Sequence, residues 1–257
     1  MDSQLAGWAD PVARLREALE QNELELYCQP ILAFAGAERY PMAEVLVRLR
    51  EEEHALLPPG EFLPVFEHYG MMPQLDRWVA SRVVERLALG SRVPRFTINV
   101  SGQTLEDPQF AIHVGTEMRK AGVAPASLAF EIDESDVLER LEAAARFAGA
   151  IKTLGCGVLI DGFGRRAVTF TPLKVLRVDY VKVDGSIVRK LLTSEVARAK
   201  MNAMLRVAEA LRIGLVAECV EDQDILMRLK ALNVGYAQGF GVYQPHPMDA
   251  IAAPAPA

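Results

Sequence analysis

Two hydrophobic rhythms divide the chain. Residues 11–22 place Val12, Leu15, Ala18 and Leu19 on one face with charges between them, which predicts a short amphipathic helix. Apolar-rich runs at 24–31 and 43–49 read as strands. The segment around Gly36 that joins them is too short for a crossover helix, so the two strands are expected to be antiparallel neighbours. Beyond residue 60 the rhythm changes to strand and helix in alternation. Helical patterns at 60–69 and 73–88 precede a strand at 96–100, and a helix at 108–121 precedes a strand at 127–132. Residues 136–139 resemble a capping box, followed by a face of Leu138, Leu141, Ala145, Ala148 and Ile151 that Gly155 ends. Strands at 157–161 and, after a short segment containing Pro172, 176–184 come next. A helix at 194–212 carries Met201, Met204, Leu205, Ala208 and Leu211 as a core stripe. A strand at 213–219, a helix at 222–232 and a last short strand at 236–240 complete the series.

Strand and helix repeated this often imply parallel strands with helices outside. The expected fold is therefore α/β, with eight strands closing as a (β/α)8 barrel whose site lies at the carboxyl ends of the strands. One domain is expected over residues 11–247, with an N-terminal extension at 1–10 and an Ala/Pro-rich tail at 248–257 that has too little to bury.

Those strand ends share a grammar. Residues 157–161 run from an apolar stretch straight into Asp161, and Gly162-Phe163-Gly164 then makes a tight turn. Apolar runs likewise end at Glu131, at Asp184 after Lys182, and at Glu218. Collected by strand, the rim offers Glu44, Asn99, Glu131, Asp161, Lys182, Glu218 and Gln238. Carboxylates and an amide oxygen are hard ligands suited to magnesium, calcium or manganese, and the reaction such a set supports is metal-assisted hydrolysis of a phosphate ester. Taken singly, a strand-end acid is more often a helix cap or an ion-pair partner, and Asn99 is equally placed to cap the helix after it.

Composition narrows the partners. A net charge of −6 with no basic block argues against a nucleic-acid polymer and leaves a small anion held by placed cations. With no export signal and no apolar run of membrane-spanning length, the domain is expected to be cytoplasmic and without membrane contact. Cys28, Cys156 and Cys219 have neither paired spacing nor a histidine cluster nearby, so they read as core thiols and zinc is not expected.

Six ordered motifs resemble the EAL domain of bacterial cyclic di-GMP phosphodiesterases. They are residues 26–31 around Gln29, Glu44-Val45-Leu46 in place of Glu-Ala-Leu, 98–101 around Asn99, 131–135, 181–184 around Lys182, and 217–221 around Glu218 with the closing Gln238-Gly239. The resemblance implies a modified barrel with an antiparallel first strand, and cyclic di-GMP as ligand. By the same resemblance, Glu44, Asn99, Glu131 and Asp161 are metal ligands for Mg2+ or Mn2+, with Ca2+ as a non-productive substitute. Lys182 and Glu218 handle the attacking water, and Glu134 braces the loop after the fifth barrel strand. Gln29, Leu46, Arg48, Asn99 and Gln238 are implied to touch the dinucleotide, and a homodimer or a protein signalling partner enters by resemblance only. One departure stands out: the family's Asp-Asp-Phe-Gly is Asp161-Gly162-Phe163-Gly164 here, and Arg165-Arg166 replaces small polar residues in the loop that follows. A position without a side chain supplies no anionic ligand. The expectation is a cyclic di-GMP receptor with lost or weakened hydrolysis, retaining one ion or none; an active enzyme producing pGpG is the alternative.

Overall fold

The computed structural model describes residues 10–50, 56–166 and 168–252. Its strands are β1 (Leu24–Ala33), β2 (Met42–Arg50), β3 (Leu56–Leu57), β4 (Arg95–Val100), β5 (Leu128–Asp133), β6 (Gly157–Phe163), β7 (Tyr180–Val183), β8 (Gly214–Ala217), β9 (Tyr236–Ala237) and β10 (His246–Pro247). The order β1-β9-β8-β7-β6-β5-β4-β2 is sealed by direct pairing of β1 with β2, so eight strands close on themselves. Neighbours from β2 round to β9 are parallel, while β1 is antiparallel to both β2 and β9. This is the α/β barrel with a reversed first strand that the sequence predicts. Its cause is local: eight residues separate β1 from β2, enough for a turn through Gly36 (φ 108°) and not for a helix. The short strands β3 and β10 extend β2 and β1 by two antiparallel pairs each.

Period-two alternation sorts the barrel side chains. Phe96, Ile98, Phe130, Ile132, Val158, Ile160, Val181, Val183, Leu215 and Ala217 point outward into one core shared with the helices. There Phe110, Phe130 and Phe147 meet with centroids 5.6, 5.7 and 6.4 Å apart. Truncating one such ring costs about 3–5 kcal/mol. Inside the barrel the apolar filling is small: Ile31, Met42 and Val216, with Tyr180 and Tyr236 against them, form a floor. Above that floor the interior turns polar.

Several local expectations need correction. The strand expected over 176–184 is a helix, Thr171–Leu176, then β7 alone. Pro172 starts that helix, Leu173 and Leu176 are its buried face, and Arg177 ends it with a left-handed backbone. The capping box at 136–139 does not form: Asp133 caps a separate helix, Glu134–Glu139, and Asp136 bonds Arg140 instead. The long helix Leu141–Leu154 buries Ala144, Phe147, Ala148 and Ile151, while Leu138 is exposed. Met201, Met204 and Ala208 are core as predicted, but Leu211 faces outward. The last strand is only Tyr236–Ala237, because residues 238–240 turn away into the mouth. Beyond the boundary expected at 247, Met248–Ala252 is a helix that buries Met248 and Ala252. Residues 253–257 of the tail and residues 1–9 of the N-terminal extension lie outside the described residues. Among the described residues no helix is long and apolar enough to cross a membrane.

Candidate functional site

The alternation that sends Phe130, Ile160, Val181 and Ala217 outward sends Glu131, Asp161, Lys182 and Glu218 inward, each in the carboxyl-terminal half of its strand or just past its end. Lys182 is the hub and has no solvent exposure. Its Nζ donates to Glu44 Oε2 at 2.8 Å and Glu131 Oε2 at 2.7 Å, and lies 3.1 Å from Glu218 Oε1 and 3.5 Å from Asp161 Oδ1. Four carboxylates thus surround one ammonium. Around them, Asn99 Nδ2 donates to Glu44 Oε1 at 2.8 Å, and Gln238 Nε2 donates to Glu44 Oε2 at 2.6 Å and Gln29 Oε1 at 3.0 Å. Gln29 in turn donates to the Tyr243 carbonyl at 2.9 Å, which ties the reversed first strand to the segment after β9. Asn99 does not cap the following helix; Ser101 does, accepting from Thr104 N.

The electrostatics follow from this crowding. Burial works to discharge Lys182, but Asp161, Glu131, Glu44 and Glu218 outweigh it and hold the ammonium charged, its pKa raised well above the ordinary value. Burial lifts Glu131 to about 8 against the pull of Lys182, with Glu44 and Asp161 pushing it further up. Glu218 is raised well above a normal carboxyl, by burial first and by Asp161 and Glu44 besides. For Asp161, burial is overcome by Lys182 and by hydrogen bonds from Glu218 and the Gly162 N–H, and its pKa falls. Within the Asp161–Glu218 pair the two shifts therefore run in opposite directions.

Two carboxylate oxygens in this cluster, Glu131 Oε1 and Asp161 Oδ1, are buried without a hydrogen-bond partner, as is the amide oxygen of Gln238. Orphaned carboxylate oxygens beside excess negative charge are what a hard cation would satisfy. Glu44, Asn99, Glu131 and Asp161 offer the oxygen chemistry that a hard divalent ion takes. They are not pre-arranged for it, since no group of three acidic, histidine or cysteine side chains among the described residues is poised around an ion and Lys182 Nζ stands between them.

Where a second carboxylate would project, the chain has Gly162. Its φ of 66° lies in the left-handed region, and a Cβ built there falls against the Arg165 guanidinium, whose Cζ is 2.9 Å away. Arg165 is no free surface cation. Its Nε donates to Asp184 Oδ2 at 2.9 Å and its Nη1 to Asp133 Oδ2 at 3.0 Å, clamping the ends of β5 and β7 across β6. Arg166, by contrast, is exposed and reaches only Glu139, at 3.4 Å. The buried Glu134 holds the same turn from below: its carboxylate accepts from the backbone N–H of Gly164 at 2.9 Å and also from those of Arg165 and Arg166.

Gln29, Glu44, Glu218, Cys219, Glu221, Gln238, Gly239 and Phe240 line a cavity of about 160 Å3 at this mouth. Further out on β2, Leu46 and Arg48 continue the inward face of Glu44, and the Arg48 guanidinium lies 4.3 Å from the centre of the Tyr27 ring on β1. The predicted residues Gln29, Glu44, Asn99, Glu131, Asp161, Lys182, Glu218 and Gln238 are therefore one connected constellation, with Leu46 and Arg48 on its rim and Glu134 beneath the adjoining loop. Sequence reasoning missed Tyr27, Asp133 and Asp184 as partners of the two arginines. Only pairing register and loop path bring them there.

A (β/α)8 barrel with a lysine-centred ring of carboxyl groups at its carboxyl-end mouth is the class that the fold and the site define. More narrowly, this chain belongs to the EAL domain family, which matches residues 12–245. It is 30% identical over 244 residues to the cyclic di-GMP phosphodiesterase PdeB of Shewanella oneidensis, covering 94% of this chain and 28% of that protein. It is 29% identical over 238 residues to the cyclic di-GMP phosphodiesterase PdeF of Escherichia coli, covering 91% of this chain and 32% of that one. The chain thus spans about a third of the length of these relatives. Among solved structures, the FimX EAL domain from Pseudomonas aeruginosa bound to c-di-GMP superposes with a TM-score of 0.86 at 29% identity, covering 92% of this chain and 96% of that one. The PaMucR phosphodiesterase in its c-di-GMP complex gives a TM-score of 0.85 at 26% identity, covering 93% of this chain and 98% of that one.

Proposed function

We propose that this domain binds cyclic di-GMP as a signalling receptor and that its phosphodiesterase chemistry is weakened or lost. The observation that carries the second clause is Gly162 with the Arg165 guanidinium packed over it: the place for another anionic ligand is taken by a cation tied to Asp133 and Asp184. The ligand clause rests on family membership and on the rim. Arg48, its guanidinium 4.3 Å from the centre of the Tyr27 ring, carries a planar fork that suits a phosphate or a guanine edge, while Gln29, Gln238, Leu46 and Asn99 line the approach. A divalent ion such as Mg2+ or Mn2+, held by Glu44, Asn99, Glu131 and Asp161, would lower the pKa of a bound water and screen the phosphate oxygens. Lys182 keeps the carboxylates from repelling one another and holds positive charge beneath the phosphate. Glu218, its pKa raised by burial, sits beside Asp161.

A second reading, a working phosphodiesterase that yields linear pGpG, is favoured by one specific feature: Lys182, Glu131 and Glu218 remain in contact and fully assembled. A paired assay on one preparation separates the two. Calorimetry with Ca2+ present is expected to show cyclic di-GMP binding that Arg48→Ala weakens by about 1–3 kcal/mol. Incubation with Mg2+ or Mn2+ is expected to give little or no pGpG. Fast turnover that disappears in Lys182→Ala or Glu218→Ala makes the second reading correct, and no binding at high micromolar ligand removes the first.

A further inference from the structure

The opposite face of the barrel carries a second cavity, of about 790 Å3, formed where β4, β6, β7, β8 and β9 begin. That volume lies within the roughly 300–1,000 Å3 range of small-molecule sites. Its charge is out of keeping with the molecule. The chain carries a net charge of −6, yet this cavity is lined by Arg95, Lys152, Lys174, Arg177 and Arg212 against a single carboxylate, Asp179. Asp179 is already committed: Oδ1 accepts from Lys152 at 2.6 Å and Oδ2 from the Val158 N–H at 2.9 Å. Arg95 is tethered too, its Nε to the Ala126 carbonyl at 2.9 Å and its Nη1 to the Tyr180 hydroxyl at 3.3 Å. Among the described residues, Lys174, Arg177 and Arg212 have no ion-pair partner, so three unneutralised cations converge on one concavity.

The backbone adds an independent observation. Helices of the barrel end in a left-handed residue at Asn22, Gly70, Gly90, Gly122, Gly155, Arg177, Arg212 and Asn233. Glycine is the residue that suits such a position, and a residue with a Cβ is strained there. Where such a helix end departs from glycine it carries asparagine, which tolerates that conformation, at 22 and 233, and arginine at 177 and 212; both arginines line this cavity. Local conformation does not favour arginine at either place. The floor between the two mouths is aromatic, Tyr180 and Tyr236 meeting edge to face at 5.5 Å, so the cavity offers cations at its rim and a ring surface at its base.

From this geometry we infer that the amino-end mouth of the barrel is a second ligand site, for a small phosphorylated anion of up to mononucleotide size. Arg177 and Arg212 supply the forks, Lys174 the point charge and Tyr180 the floor. Phosphate fits better than a lone carboxylate because three cations face one space and a phosphate group offers several acceptors to them. The site shares no lining residue with the carboxyl-end mouth and does not depend on what binds there.

The test is a titration of the 15N-labelled domain with inorganic pyrophosphate, and separately with GMP, in low-salt buffer containing EDTA. Saturable shifts are expected at the amides of Arg177, Arg212 and Gly214, and the tighter of the two probes identifies the source as a polyphosphate or a nucleotide. The variant Arg177→Gly/Arg212→Gly is expected to weaken binding roughly tenfold or more. Its melting temperature should not fall, because glycine relieves both left-handed positions. Lys174→Gln, a change on an exposed helical position, should weaken binding with no structural consequence and stands in should the double variant fold poorly. No saturable shift at millimolar probe, or shifts undiminished in these variants, overturns the inference.

Discussion

At the scale of the residue, Lys182 decides whether the mouth is stable at all. Four carboxyl groups crowd one buried space, and a single ammonium bonded to two of them and close to the others offsets the burial of those that stay ionised. Removing one partner of a buried ionic group while leaving the rest charged costs about 3–5 kcal/mol. Lys182→Ala is therefore expected to lose stability of that order in urea titrations at neutral pH with EDTA present, and to recover part of it when Ca2+ or Mg2+ is added. Equal stability of the variant and the parent in EDTA would show that the carboxylates are mostly protonated without help. Glu131, Asp161, Lys182 and Glu218 were legible in the sequence because each closes an apolar run with an ionisable group, while Glu44, near the start of β2, stood out only through the Glu44-Val45-Leu46 triplet. Their arrangement around Lys182 was not, because it is set by the relative register of six strands, β2 and β4 to β8. Arg165 was legible as a departure and its partners were not: Asp133 and Asp184 lie 32 and 19 residues away.

At the scale of the element, the turn after β6 concentrates the constraints. Glu134 fixes its backbone from below, Arg165 clamps it from the side, and Gly162 permits its left-handed bend. Gly162→Asp alone is expected to restore little Mg2+- or Mn2+-dependent cleavage. The new carboxylate starts from a strained φ and meets the Arg165 guanidinium, which will pair with it before any ion does. Adding Arg165→Thr removes that competitor, so the double variant should exceed the single one by more than the two changes give separately, measured as pGpG formed. Equal rates for single and double variants would acquit Arg165. A second junction of elements offers a pH signature. Asp76, on the helix Met72–Ala88, accepts from Ser101 N and Oγ and from Thr104 Oγ1, pinning the helix to the end of β4. Burial lifts its pKa from 3.8 to about 6 despite those donors. A folded-state pKa above the unfolded one means stability that is complete below about pH 4 and lost as pH rises through about 6, on the order of 3 kcal/mol. Asp76→Asn should flatten that part of the pH–stability curve, read by urea unfolding between these limits. Elements of this length were visible as hydrophobic periods, whereas the short helices Gly102–Leu105, Thr171–Leu176 and Gly185–Val188 were not. One turn of helix holds too few residues to show a period.

At the scale of the molecule, closure of the sheet ties ligand to stability. Because β1 pairs with both β2 and β9, no strand can leave without opening the ring, and the mouth draws its residues from β1, β2, β4, β5, β6, β7 and the segments after β8 and β9. The alternation of strand and helix revealed the parallel part of this ring, and the short β1–β2 connection its reversed strand. The seal between β1 and β9 had no local signal, being a pairing between the two ends of the domain. A ligand bridging Gln29 on β1, Arg48 on β2 and Gln238 after β9 would bind across that seal, so it should act on the global unfolding transition rather than on a local one. At a free concentration about 100 times its Kd, a ligand bound only by the folded state adds about 2.7 kcal/mol. For a domain of this size each kcal/mol raises the melting temperature by about 2–4 °C, so cyclic di-GMP is expected to raise it by roughly 5–10 °C, with a shift that grows with concentration. Arg48→Ala should need proportionally more ligand for the same shift. A melting curve that splits into two transitions on adding cyclic di-GMP, or that does not move while calorimetry shows binding, would mean that the site unfolds separately from the barrel.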